Sequence, residues 1–570
     1  MPGMTLIHSG ESLVSPPDHL TVPQFLLDSY QHVTRPQRLS HSPCLIDDDT
    51  GQVVFLEELR ERTRSIATAL GFHYNIGPGA IVTIISPNHI DYGPCVWAVH
   101  RLGAIAATLG PMLTAGEFVH QFKIALPSMI LVHSVCLSSV LQAAAVVGIN
   151  SDRVVVLDTP GHAGFTSVDC LIREAPSLPE YTEKVLTHGE AKTAIAFLAP
   201  SSGTTGTQKV VAISHYNVIS IVIQAATFNR INEPYAPVSE RRFRLGDICC
   251  GFLPLYHIYG LVYNLHFMLY AGLTLVVTPK FYFENFLASI ERYRITHLTL
   301  VPPQAVLLCK HPAVKRYDLS SVRYCIVAAA PLSATLTAEL LDVLQNVHLG
   351  QGYGLTETCG TVGMFPLTQK IGTLGSGGQL LPGTFAKVVK PDGTSAKELE
   401  AGELYVKGGQ VALGYYGNEQ ATKGTFIDGW LKTGDQVYFR GGDIFVVERI
   451  KVKKVKGLQV PPAELEGHLL THSSVVDAAV VGVPDEYSGE LPMAFIVLQP
   501  ELAAVVGKDA ILAKEIRASI FKHVSDVKSK HKWLTGGIHF VDAIPRNPSG
   551  KILRRLLRLN NTGTVSVARL

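Results

Sequence analysis

The sequence predicts an α/β protein: a large N-terminal domain of several subdomains with layered sheets, then a small α+β C-terminal domain. Three observations predict it. The first half alternates segments of helical apolar spacing with short apolar runs, the pattern of helices covering mainly parallel sheets. The chain has 570 residues, 47% of them hydrophobic, enough for several packed cores. Composition shifts near residue 449, where Arg449-Ile-Lys-Val-Lys-Lys-Val-Lys456 puts five basic residues in eight positions. A boundary there divides the chain into residues 1–449 and 450–570.

Taken in order, residues 57–70 have helical spacing and 81–85 form a buried-strand run. Residues 97–107 read as a helix, 128–132 and 153–157 as strands, with Gly77-Pro78-Gly79 and Gly110-Pro111 at the joins. The apolar stretch 261–277 is interrupted by Asn264, His266 and Gly272, so it reads as a buried helix, a glycine stop and a short strand. No uninterrupted apolar run reaches the roughly 18 residues of a membrane span, and a soluble protein is expected. Past the boundary, Pro461-Pro462 introduces a helix over 463–470, then strands over 475–483 and 493–498 and a helix over 509–527.

Composition narrows the function classes. Forty-nine Lys+Arg against 47 Asp+Glu leave a net charge of +2, which argues against a general nucleic-acid binder. The 50 glycines and 33 prolines are spread along the chain, which argues against low-complexity disorder. Nine scattered cysteines without a C-x-x-C pair suggest neither a zinc site nor a disulfide framework, but buried small hydrophobes in a reducing compartment. The first fifteen residues lack the basic and apolar regions of a signal peptide. A large, near-neutral enzyme is the expectation.

The most informative stretch runs from Thr193 to Lys209. An apolar strand enters a loop of small and hydroxyl residues that ends in lysine. Gly203 and Gly206 allow close backbone approach to an anion, Ser201, Ser202, Thr204, Thr205 and Thr207 supply donors, and Lys209 supplies charge. The glycines are too close together for the G-x-x-x-x-G-K-[ST] phosphate loop, and such a loop taken alone is more often just a loop.

Ser202-Gly-Thr-Thr-Gly-Thr-Gln-Lys209 resembles the phosphate loop of the adenylate-forming superfamily of acyl-CoA synthetases, luciferases and amino-acid adenylation domains. Five more segments resemble its motifs in the same order: Leu253-Pro-Leu-Tyr-His-Ile-Tyr259, Gln351-Gly-Tyr-Gly-Leu-Thr-Glu357, Gly429-Trp-Leu-Lys-Thr-Gly-Asp435, Glu448-Arg449 and Pro545-Arg-Asn-Pro-Ser-Gly-Lys551. The pattern is most similar to that of the 4-coumarate–CoA ligases and related acyl- or aryl-CoA ligases.

The resemblance implies an ATP-dependent acid–thiol ligase using ATP, Mg²⁺ and coenzyme A. It implies Lys551 as the transition-state cation, although the residues alone read better as a solvated lysine opening the basic helix 551–558. Glu357 offers a hard oxygen for Mg²⁺ and Thr356 a donor to the α-phosphate. Nucleotide contacts are implied for Ala329, Gln351, Gly352 and Tyr353, with Tyr353 stacking on adenine, and ribose contacts for Asp435 and Arg449. An ordinary half-buried aromatic and a turn aspartate are the plainer readings of Tyr353 and Asp435. Tyr256, His257, Tyr259, Val301, Ala328 and Ala330 are implied in the acid pocket, along with residues 301–306 and 359–362. His257 would steer or gate the acid; otherwise it is a satisfied core residue.

For the basic run, a solvated face is the default reading. The resemblance instead implies a hinge at Lys451 and contacts of Lys454, Gly457 and Gln459 with the adenylate or the pantetheine arm, the small domain being a mobile lid that carries Lys551. Gly457 suits close passage of a thin thiol arm.

Some positions depart from the family's pattern. Gln208 and Val210 replace proline and glycine, Ala328 adds a methyl where glycine is usual, and Glu448 replaces aspartate. The segment 449–457 is one residue short, which leaves the register of Lys451 and Lys454 open by one position. A carrier-protein acceptor, a luciferase-like oxidation and a degenerate nucleotide-binding protein are the alternatives. The final Ala568-Arg569-Leu570 is related to the peroxisomal S-K-L signal and predicts an import receptor as partner, with the cytoplasm as the other location.

Overall fold

The computed structural model describes residues 6–28, 31–158, 164–201, 209–449, 460, 462–485, 489–507, 509–528, 530–546, 552–554 and 556–557. Among them, a seven-stranded sheet begins with Ile81–Ile85, Ile105–Leu109, Met129–Val132 and Val154–Val156, and continues into Ile195–Ser201 (β1). These pairings are parallel. Their apolar runs are buried on both faces, as a helix-covered parallel sheet requires.

Lys209–Ser214 (β2) returns antiparallel to β1, which registers Lys209 opposite Ser201. The helix His215–Phe228 (α1) follows at once. Ser214 Oγ accepts the Asn217 N–H at 3.1 Å, and the Asn217 side chain accepts the Ser214 N–H at 2.9 Å, a reciprocal cap that fixes the start of α1.

The stretch expected as a buried helix is Tyr259–Met268, a π-helix packed against α1. Gly272, at φ +85°, stops the segment before the strand Thr274–Val277. One sequence expectation is corrected here. The helix placed at 97–107 is Tyr92–Arg101; Gly103 turns the chain at φ +71°, and Ile105–Leu109 pairs with strands on both sides.

The second sheet has fifteen strands. Its parallel part runs through Leu45–Asp47, Thr274–Val277, Ile248–Gly251, His297–Leu300 and Tyr324–Val327 to His348–Leu355 (β3). β3 changes partner along its length. Residues up to Gln351 pair parallel with Tyr324–Val327, while Gly352–Leu355 pair antiparallel with Gly360–Met364, the register shifting between Tyr353 and Gly354. A Cβ on Gly354 would lie 1.6 Å from the Gly360 carbonyl oxygen, so only glycine lets the two backbones meet. Gly414–Tyr415 (β4) crosses back to pair with β2. Trp430–Arg440 (β5) forms a hairpin with Asp443–Arg449, setting Asp435 opposite Arg449.

Beneath β1 lies a buried aromatic–imidazole cluster. Phe197 of β1 packs against His100 and His266, at ring-centroid distances of 4.8 and 5.8 Å, and His100 packs against His215 at 4.9 Å. Each imidazole has a neutral partner. His266 Nε2 accepts the Trp97 indole N–H at 3.1 Å, His215 Nδ1 accepts the Val22 N–H at 3.1 Å, and His100 Nε2 meets the Ala196 carbonyl at 2.9 Å. Burial holds His215 down to about 3 and His266 down to about 4, and pushes His100 well below its ordinary value.

The C-terminal residues form their own antiparallel hairpin, Val475–Asp485 with Gly489–Leu498, extended in parallel by Gly537–Phe540. The helices Pro462–Leu469 and Ala510–Ser525 enclose a separate apolar cluster around Leu465, Ile496 and Ile520. The expected boundary at 449/450 abuts residues 450–459. Lys451, Lys454, Gly457 and Gln459 therefore lie outside the described residues, as do Ser202, Gly203, Thr204, Thr205, Gly206, Lys551 and the terminal Ala568-Arg569-Leu570. The cysteines are free; seven are buried, and Cys170 and Cys309 are half-buried. No helix among the described residues is long and apolar enough to cross a membrane.

Candidate active site

The ends of β1 and β3, the start of β2, α1 and the π-helix converge on one cleft. Its polar end is built around β4. Ser201 and Lys209 face each other across the β1–β2 pairing, and Lys209 Nζ lies 4.5 Å from the centre of the Tyr415 ring. Glu357 sits in the single turn Thr356–Thr358 that follows β3, and its Oε1 accepts the Tyr415 hydroxyl at 3.0 Å. Burial pushes the Tyr415 hydroxyl well above the ordinary tyrosine value, with the Glu357 carboxylate adding to the effect, so the phenol stays protonated and donates. Thr356 and Glu357 both line the cleft.

The seam of β3 forms the next stretch of wall. Gly352 and Tyr353 line it, and the Tyr353 hydroxyl donates to Asp435 Oδ2 at 2.8 Å. Asp435 is only 2% exposed, and its N–H is held by Thr433 Oγ1 at 3.1 Å. The β5 hairpin brings the Arg449 backbone opposite Asp435; the Arg449 side chain lies outside the described residues. Ala329 lines the cleft at φ +72°, a left-handed conformation that costs roughly 1–2 kcal/mol for a residue with a Cβ. Strain held beside a site is the form that preorganised geometry often takes.

Gln351 does not face this wall. It is 8% exposed, its Oε1 accepts the Leu332 N–H at 2.7 Å and its Nε2 donates to the Leu332 carbonyl at 3.3 Å. The amide anchors the segment after Ala330, so the residue expected to contact nucleotide braces the loop instead.

The apolar end is formed by His257, Ile258, Tyr259, Ala328 and Ile326, together with residues on α1 and the π-helix. The Tyr259 hydroxyl reaches the Ile326 carbonyl at 3.3 Å, and His257 Nδ1 accepts the Tyr259 N–H at 3.4 Å. His257, Tyr259 and Ala328 are therefore on the wall, as expected from the sequence. Three other pocket expectations are corrected. Val301 is buried in the core beside Leu300 and Leu332, and Tyr256 packs toward Gly110, where an added Cβ would meet its ring at 3.0 Å. Ala330 is half-buried and, like Tyr256 and Val301, is not part of the cleft lining. Of 359–362, Gly360 and Thr361 line the cleft, while Cys359 and Val362 are in the core.

Sequence reasoning missed Tyr415 on β4, Leu431, Lys432 and Thr433 on β5, and a group on the helices that joins the expected Tyr259. Ile221 and Ala225 present one face of α1, and Tyr259, Tyr263 and Phe267 form a ladder along the π-helix, with ring centroids 5.9 and 5.0 Å apart. The four-residue spacing of these aromatics is the signal that was available. Among the described lining, the charged side chains are Lys209, Glu357 and Lys432, and Lys432 is paired with Glu403 at 3.3 Å. Among the described residues, the apolar end is lined by no Lys, Arg, Asp or Glu side chain.

Such a cleft can hold a polyanion at one end and an uncharged body at the other. The family model for AMP-binding enzymes matches residues 34–416, and the model for the AMP-binding enzyme C-terminal domain matches residues 464–551. The chain is 34% identical to the acyl-CoA ligase easD of Emericella nidulans, over 96% of this chain and 97% of that one. It is 35% identical to 4-coumarate–CoA ligase 2 of Oryza sativa subsp. japonica, over 95% and 92% of the two chains. The o-succinylbenzoate CoA synthetase of Bacillus subtilis, solved in complex with its acyl-adenylate intermediate, superimposes with a TM-score of 0.74 at 26% identity, covering 91% of this chain and 95% of that one. This chain belongs to the AMP-binding enzyme family.

Proposed function

We propose that the protein is an ATP-dependent acid–thiol ligase: it converts a carboxylic acid, ATP and coenzyme A into an acyl-CoA, AMP and pyrophosphate through an acyl-adenylate. The observation that carries this reading is one cleft with Lys209, Glu357 and Tyr353 along its polar wall, buried Asp435 holding the Tyr353 hydroxyl from behind, and an apolar end beyond Ala328. In the first step a carboxylate oxygen bonds to the α-phosphorus and the bond to pyrophosphate breaks. Negative charge crowds that centre, so positioning and cationic stabilisation supply the catalysis. Lys209 and the 201–206 loop hold the phosphates, and Thr356 donates to the α-phosphate. Lys551 meets the carboxylate and α-phosphate oxygens in the transition state. Tyr353 stacks on adenine, while Asp435 and Arg449 take the ribose hydroxyls. In the second step the thiol attacks the acyl carbonyl and AMP leaves.

Glu357 fits Mg²⁺: it places a hard carboxylate in the cleft, and among the described residues its side chain carries only the Tyr415 hydrogen bond. When bound, Mg²⁺ would neutralise phosphate charge. Rotation of residues 450–570 about Lys451, bringing Lys454, Gly457 and Gln459 to the thiol arm, completes the proposal. The apolar end favours aryl or aliphatic acids without a second charge, with His257 steering the carboxylate. Free coenzyme A is the proposed acceptor.

Import into peroxisomes through Ala568-Arg569-Leu570 is a separate proposal, resting on that tripeptide. Deleting it should move a fluorescent fusion from punctate organelles to the cytoplasm. The ligase reading is tested by acid-dependent pyrophosphate release across aromatic, medium-chain and long-chain acids. Lys551→Ala should abolish release while keeping nucleotide binding; an unchanged rate in that variant would sink the reading.

A further inference from the structure

Tyr415 was not singled out by any motif, yet it joins the two charged groups at the polar end of the cleft. Those groups come from different sheets. Lys209 opens β2 of the seven-stranded sheet, whereas Glu357 follows β3 of the fifteen-stranded one. The segment around β4 stitches them together: Ala412 N–H donates to the Glu357 carbonyl at 2.9 Å, and Leu413 and Tyr416 N–H donate to Ala212 and Val210 of β2 at 3.0 and 2.7 Å. From that backbone the half-buried Tyr415 ring is braced edge-on by Phe426, with centroids 5.6 Å apart.

Its two faces of chemistry do different things. The hydroxyl donates to one carboxylate oxygen of Glu357 at 3.0 Å, which fixes the carboxylate's rotation and leaves acceptor capacity for a cation. The ring's π face receives the Lys209 ammonium at 4.5 Å. A carboxylate in that place would neutralise the lysine; an aromatic face positions it and leaves its charge for an anion. Among the described residues Lys209 forms no ion pair.

We propose that Tyr415 is a positioning residue that presets both the Glu357 carboxylate for Mg²⁺ and the Lys209 ammonium for the phosphates of ATP. The proposal rests on the reading of the cleft as a site for ATP with Mg²⁺, and its test reads binding, apart from ligation. Tyr415→Phe removes the hydroxyl and keeps the ring, whereas Tyr415→Leu removes both. ATP affinity of the full chain is measured by calorimetry with and without MgCl₂, alongside the melting temperature.

In Tyr415→Phe the gain in ATP affinity on adding Mg²⁺ should shrink by about tenfold or more, the effect of losing a hydrogen bond to a charged group, with metal-free affinity unchanged. Tyr415→Leu should weaken metal-free ATP binding as well. Wild-type Mg²⁺ dependence in Tyr415→Phe would overturn the proposal, and so would an equal loss with and without metal, which marks a merely structural role. If Tyr415→Leu fails to fold, Tyr415→Phe alone decides. A wild type that binds ATP with Mg²⁺ but ligates no acid would refute the ligase reading and leave this test standing. A wild type whose ATP affinity ignores Mg²⁺ would overturn both.

Discussion

Acidification from pH 7 to pH 5 should strip several kcal/mol from the large domain, through the imidazoles packed beneath β1. His215 and His266 are buried and held down to about 3 and 4, against an ordinary value of 6.5, because charging either one would cost its hydration. In the unfolded chain both regain the ordinary value. The unfolded state therefore binds more protons below pH 6.5, and stability present above that value is lost as the pH falls toward the folded values. Over the roughly 1.5 units between pH 6.5 and pH 5, one extra proton per histidine is worth about 2 kcal/mol, or about 4 kcal/mol for the pair. His100, pushed down in the same way, adds to the loss. The window lies above the range where most carboxylates titrate, which separates this effect from general acid unfolding.

Urea unfolding at pH 7, 6 and 5, followed by Trp97 fluorescence in a Trp430→Phe/Trp533→Phe background, measures it. His215→Asn sharpens the test, because the asparagine oxygen can still accept the Val22 N–H where Nδ1 does now. That variant starts weaker at pH 7 from the lost ring volume, but its further loss on going to pH 5 should be smaller than the parent's by about 2 kcal/mol. An identical loss in parent and variant would refute the account, as would a parent whose stability is flat from pH 7 to pH 5.

Two substitutions probe the cleft itself. Asp435→Asn keeps the shape but removes the charge that the Tyr353 hydroxyl holds at 2.8 Å, and should weaken AMP and ATP binding by about tenfold or more in calorimetry, the usual scale for a hydrogen bond to a charged acceptor. Ala328→Gly removes a methyl group from the wall where the acid is expected, and should raise kcat/KM for bulkier acids relative to smaller ones by about tenfold, as a methylene in a pocket does. The ATP KM should stay unchanged in this second variant.

Residues whose chemistry depends on backbone turns were legible in the sequence. Ser201 and Lys209 sit at strand ends, where glycine and hydroxyl spacing announces a site, while Tyr353, Thr356 and Glu357 came from the resemblance of 351–357 to a family motif; all five line the cleft. The acid wall was less legible for a physical reason. α1 is buried nearly all round, so Ile221 and Ala225 show no polar face from which to tell a ligand-facing side from a core-facing one. Val301 was misplaced because an apolar residue after a strand looks the same whether it meets a ligand or the core. Gln351 failed differently: a buried amide must be satisfied, and here a loop backbone satisfies it. The helix expected at 97–107 absorbed a strand because helical spacing and a short apolar run are indistinguishable across a tight glycine turn.

The placement of the two ends of the cleft on different elements has a consequence for how such a protein can diversify. The groups of the polar wall hang from β3, β4 and β5, whose pairings tolerate little change, as the contact at Gly354 shows. Much of the apolar wall hangs from side chains of α1 and the π-helix, whose backbones are held by their own hydrogen bonds whatever residues point inward. Exchanging Ile221, Ala225 or Phe267 can reshape the acid's berth while the energy-coupling half of the reaction is inherited intact. New substrate ranges are then reachable in single mutational steps, each a viable enzyme, which is the condition for one ancestral activation chemistry to radiate across many acids.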